Sequence, residues 1–62
     1  MGTKEYKTET VAQRTSKEVL KRILMINAAS KATAKKIAQH YTKKDFAYHY
    51  GGTATRIETI VK

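Results

Sequence analysis

The 62 residues suffice for one domain, spanning 1–62, and the absence of cysteine excludes disulfides and thiolate zinc sites. Thirteen Lys and Arg against five Asp and Glu set the net charge at +8, which speaks to anionic partners and not to fold. No apolar run approaches the roughly 20 residues that span a bilayer and no charged-then-apolar leader opens the chain, so the expected location is cytoplasmic with no membrane partner.

Lys4 to Ala12 alternates loosely and is rich in Thr, with Tyr and Val. That predicts a strand with Tyr6, Thr8 and Thr10 on one face and Lys7, Glu9 and Val11 on the other. Its thin apolar content suits an edge strand or an arm. Thr15 followed by Glu18 has capping-box spacing, in which the hydroxyl takes a free amide of the first helical turn and the carboxylate reaches back. Val19, Leu20, Ile23 and Leu24 then fall at i, i+1, i+4 and i+5, one buried face of an amphipathic helix.

Asn27 to Lys31 carries neither Gly nor Pro. Ser30, or alternatively Thr33, can cap a second helix, with Ala34, Ile37, Ala38 and Tyr41 as its buried stripe. One continuous helix over about 16–41 satisfies the same periodicity. Thr42 with Asp45 repeats the capping spacing ahead of Phe46, Ala47 and Tyr50, predicting a short helix over about 43–50. Gly51-Gly52 ends it, because glycine accepts the left-handed backbone of helix C-termini. Thr53 to Lys62 is rich in β-branched residues, which predicts a strand with Ile57, Thr59 and Val61 inward. The predicted fold class is mainly α with a small β element (α+β). Its order is β-α-α-α-β, a three-helix, helix-turn-helix-like core with N- and C-terminal strands free to pair.

Between Glu18 and Asp45 there is no acidic residue, yet Lys21, Arg22, Lys31, Lys35, Lys36, Lys43 and Lys44 lie there. Solubility alone does not require acids to be cleared from the middle of a chain. The segregation points to a polyanion, the phosphate backbone of a nucleic acid, with duplex DNA favoured. The expected site comprises Lys31, Lys35 and Lys36 on one predicted helix, Lys43, Lys44, Tyr48 and His49 on the next, and Arg56 on the final strand. Lys43 and Lys44 would occupy an opening helical turn, where free amides and the positive dipole end favour phosphate. Phe46 and Tyr50 are expected in the core. Tyr41 and Tyr48 interleave with Lys and His, an arrangement able to stack unpaired bases.

Thr33-Ala34-Lys35-Lys36-Ile37-Ala38, a short link, and Thr42 to Tyr50 together resemble the helix–turn–helix of small phage repressors of the Cro type. The resemblance covers about residues 30–61 and implies a recognition helix in the major groove. It further implies a homodimeric transcriptional regulator of phage or mobile-element type. Ala38 stands where that motif has Gly, and Lys44 near the position of an apolar residue. The N-terminal strand followed by helices is also similar to ribbon–helix–helix dimers, which read the major groove with paired strands.

His40 and His49, with Asp45 between them, lack metal-ligand spacing. No nucleophile, paired carboxylate or oxyanion element accompanies them, so neither enzyme activity, cofactor nor small-molecule substrate is expected. Two alternatives share the same lysines: a protein-interaction module docking on an acidic surface of a host enzyme, and an RNA- or single-strand-binding protein. An amphipathic helix lying on anionic lipid is disfavoured, because its apolar stripe is needed for the core.

Overall fold

Tyr6, Thr8, Thr10 and Ala12 alternate with Glu5, Lys7, Glu9 and Val11, and this stretch forms β1 (Lys4–Gln13). In the computed structural model, which describes residues 2–62, it is followed by β2 (Val19–Ala28), α1 (Lys31–Tyr50) and β3 (Arg56–Val61). The three strands make one sheet in the order β2-β1-β3, with both pairings antiparallel. The first strand is thus central, neither edge nor arm, and the terminal strands pair with each other as the sequence suggests.

The register puts Thr8 opposite Leu24 and Val61, Thr10 opposite Arg22 and Thr59, and Ala12 opposite Leu20 and Ile57. These residues face α1, which crosses that side of the sheet and touches all three strands. Small side chains meet small side chains there: Thr8, Thr10 and Ala12 below, Ala34, Ala38 and Thr42 above, all fully buried. Among the described residues Phe46 is the one large side chain completely enclosed, and Ile26 is nearly so. The buried hydroxyls are satisfied internally, as burial requires. Thr8 donates to the Leu24 carbonyl at 2.9 Å, Thr42 to the Ala38 carbonyl at 2.8 Å, and Thr10 and Thr59 bond each other at 3.0 Å.

Among the described residues the predicted three-helix core is absent; their order is β-β-α-β with a single helix. The segment expected as the first helix is β2. Its run Val19-Leu20-Lys21-Arg22-Ile23-Leu24-Met25-Ile26 is apolar on both faces, so a period of two fits as well as a period of 3.6, and the β-branched residues favour the strand. Ile23, expected in the core, lies on the far side of the sheet and is 55% exposed. Thr15 and Glu18 form a turn instead of a cap. The Thr15 hydroxyl accepts from the amides of Lys17 and Glu18 at 3.3 and 3.2 Å, and the Arg14 amide reaches the Glu18 carbonyl at 3.0 Å. The same local bonds that open a helix here close a hairpin.

The second and third predicted helices are one continuous helix of 20 residues. Ser30 caps it, accepting from the Thr33 amide at 3.2 Å. Thr42 starts nothing: it sits buried in mid-helix, bonded back one turn. The buried stripe leaves Tyr41 exposed and runs through Ala34, Ala38, Thr42 and Phe46. The helix–turn–helix on which the likeness to Cro-type repressors rested is therefore missing, and so is the helix pair of a ribbon–helix–helix fold. The end at glycine stands: Gly51 takes φ +69° and its amide bonds the Ala47 carbonyl at 2.9 Å.

Arg14, in the hairpin turn, completes that helix end. Its Nη1 donates to the Gly51 carbonyl at 2.7 Å, and its guanidinium lies 5.7 Å from the centre of the Phe46 ring. A cation over the last carbonyls matches the negative end of the helix dipole. Gly52, at φ +100°, lets the chain pass against this arginine: a Cβ there would stand 2.5 Å from Arg14 Nη1. Tyr50, half-buried, packs on Phe46 and donates its hydroxyl to the Val19 carbonyl at 3.0 Å. Among the described residues no helix is long and apolar enough to cross a membrane.

Candidate functional site

With Ala34, Ala38, Thr42 and Phe46 inward, the 3.6-residue period sends Thr33, Lys36, His40, Lys43, Lys44 and Ala47 straight outward. All of these are exposed. Lys36, Lys43 and Lys44 therefore share one stripe about 12 Å long, from the helical rise of ~1.5 Å per residue. Lys31 and Lys35, also exposed, lie one turn apart on the flank beside Ala34 and Ala38. No acidic residue occupies the first turn, so the positive dipole end reinforces these two lysines.

Asp45 is the only acidic residue in α1, and it is engaged. Its Oδ2 accepts from Arg22 Nε at 3.1 Å, across from β2. Among the described residues none of the five α1 lysines enters an ion pair; the bridges are Arg14–Glu18, Arg22–Asp45, Arg56–Glu58 and Lys62–Glu9. Every arginine is thus paired, and the free cations are lysines.

Among the remaining expected site residues, Tyr48 stands on the opposite flank of α1 from Lys35, 95% exposed and close in projection to Tyr41 and Lys44. His49, in the last turn, packs edge-on to Tyr50 with ring centres 4.8 Å apart. Lys43 and Lys44 are in mid-helix, not in an opening turn, so no free amides assist them. Arg56 is elsewhere altogether. It lies on the sheet face away from the helix, and its guanidinium bonds Glu58 at 2.8 Å. His40 was not among the expected site residues and stands at the centre of the outward stripe.

The turn carboxylate is held charged. The hydrogen bond from Arg14, aided by that from Thr15, keeps the Glu18 carboxyl below its ordinary value, and the Lys62 hydrogen bond does the same for Glu9. Among the described residues there is no cavity and no cluster of three or more His, Asp or Glu fit for a metal. What the molecule offers is a convex, one-signed helix face. No family model, curated protein or solved structure matches this chain.

Proposed function

We propose that the chain is a nucleic-acid-binding protein that docks the outer face of α1 on the phosphate backbone, with duplex DNA as the favoured ligand. The observation that carries this reading is the charge separation on the helix: five unpaired lysines, with the sole carboxylate drawn to Arg22. Neutralising phosphates with lysines releases condensed counterions, which supplies most of sequence-independent affinity. A helix about 10–12 Å across also matches a major groove about 12 Å wide.

Contacts of this kind position a protein without reading bases. Bidentate recognition of guanine is mainly an arginine function, and all three arginines are committed to Glu18, Asp45 and Glu58. Lysine ammonium groups are mobile point charges suited to phosphate. The reading is therefore a backbone binder with weak sequence preference, acting without a helix–turn–helix.

The test compares Lys43→Ala/Lys44→Ala with Lys4→Ala/Lys7→Ala, which remove equal charge from α1 and from β1. Titrations against duplex DNA, single strands and RNA at two salt concentrations accompany circular dichroism of each variant. The α1 pair should lose much more affinity than the β1 pair. Equal losses would move the site to the strand, and failure to bind any nucleic acid would leave an acidic protein surface as the partner.

A further inference from the structure

The space between α1 and the sheet holds alanines and threonines around Phe46 and Ile26, with Tyr6, Leu24 and Ile37 packed against them, whereas three large apolar side chains lie outside it. Ile23, Met25 and Ile60 are 55, 56 and 59% exposed, all on the sheet face that no helix covers. The register places Ile23 and Ile60 on either side of Glu9, with Val11 diagonal to both. These apolar residues surround the ion-paired Glu9 on three strands, with the half-buried Val11 joining Ile23 to Ile60. A solvated sheet face is ordinarily polar, and a contiguous exposed apolar patch rimmed by charge marks an interaction surface.

We propose that this open sheet face is where two copies of the chain meet, sheet on sheet, with the helices outward. The charge distribution selects a second copy as the occupant. On this face Glu9 is paired with Lys62 and Glu58 with Arg56, leaving Lys7 and Lys21 against Glu5. With Lys7 and Lys21 offset in part by Glu5 the face is close to neutral, whereas α1 carries five lysines outside any ion pair. Two chains of +8 approach one another at least cost through the neutral side, and a polyanion gains little there.

Size agrees. The molecule measures 41 × 17 × 14 Å, so its broad face is comparable with the roughly 800 Å² that each partner buries in a standard interface. Sheets that pack face to face interleave apolar inner faces about 10 Å apart. A chain this short gains from such a second core, because its own buries too little. This inference stands independently of nucleic-acid binding.

Sedimentation equilibrium on the nucleic-acid-free protein, from micromolar to near-millimolar concentration, tests it beside Ile23→Thr/Ile60→Thr. Threonine keeps the β-branching, and both sites are exposed in the single chain, so circular dichroism should be unchanged. The wild type should dimerise, and the variant should dissociate at least tenfold more readily. A wild type monomeric throughout, or a variant that dimerises equally, overturns the proposal. If the variant fails to fold, the wild-type thermal midpoint decides: it rises with protein concentration for a dimer and is constant for a monomer. Protection of alternate β2 amides from exchange would show pairing through the free β2 edge and would equally overturn face packing.

Discussion

Asp45 Oδ2 sits 3.1 Å from Arg22 Nε, tying the helix's only carboxylate to the middle of the edge strand β2. Both side chains are about half exposed, so the pair contributes at most about 1 kcal/mol to stability. Its larger effect is on the field of α1, where a free carboxylate next to Lys44 would repel phosphate.

Asp45→Asn should therefore strengthen nucleic-acid binding severalfold while moving stability by no more than about 1 kcal/mol. It removes a negative charge from the helix and frees Arg22 beside it. Anisotropy titrations at low and moderate salt, with thermal unfolding as control, measure both effects. Weaker binding by the variant would mean that α1 does not face the ligand.

Phe46 is fully enclosed and Tyr48 is almost fully exposed, two residues along the same helix. Phe46→Ala should cost about 3–5 kcal/mol, enough to unfold most of so small a domain. Tyr48→Ala should stay within about 0.5 kcal/mol. Urea unfolding of the two variants gives the comparison. Similar losses would mean that α1 is rotated about its axis from the position described.

These two aromatic residues also mark how far the fold was legible in the sequence. Phe46 in the core, Ser30 as one of two candidate caps, Gly51-Gly52 as stop, the shared face of Tyr6, Thr8 and Thr10, and the inward set Ile57-Thr59-Val61 all follow from local chemistry, which acts over a few residues. The failures came where local chemistry is ambiguous. Thr15 and Glu18 make nearly the same bonds in a hairpin turn as at a helix start, so the motif alone does not choose. The run from Val19 to Ile26 is apolar on both faces of a strand, and the open sheet face that tolerates Ile23 and Met25 is a tertiary fact. Thr42 with Asp45 looked like a cap because Asp45's partner, Arg22, lies 23 residues away in sequence. The basic character of the candidate site was legible because its five lysines lie close together in the sequence. The pairing of Arg56 with Glu58 was within reach of the sequence, because positions two apart on a strand share a face and an inward Ile57-Thr59-Val61 turns both outward.

Acid should destabilise the fold through Glu18 and Glu9. Both carboxyls are depressed below the ordinary value of 4.5, Glu18 chiefly by its hydrogen bond from Arg14 and Glu9 by that from Lys62. A group depressed in the folded state adds stability that is present above the unfolded value and lost as pH falls through the folded one. The thermal midpoint should thus hold above pH 4.5 and fall below it, and Glu18→Gln should lower the neutral-pH midpoint while flattening the acid limb. An acid limb unchanged in that variant would show that the Arg14–Glu18 pair contributes nothing to the hairpin turn.

Salt dependence gives the sharpest measure of the α1 surface. Each phosphate neutralised on duplex DNA contributes about −0.9 to the slope of log affinity against log salt. If between three (Lys36, Lys43 and Lys44) and all five α1 lysines make contact, the slope should lie between about −2.7 and −4.5. Lys43→Ala/Lys44→Ala should flatten it by about 1.8, whereas Lys4→Ala/Lys7→Ala should leave it nearly unchanged. Because no arginine is free to read guanine, duplexes of different sequence should give the same slope and affinities within about tenfold, a spread of ~1.4 kcal/mol. A slope near zero would end the backbone-binding reading. A steep slope with a strong preference for one sequence would instead mean that an arginine leaves its carboxylate on binding, with Arg22 the nearest to the α1 surface.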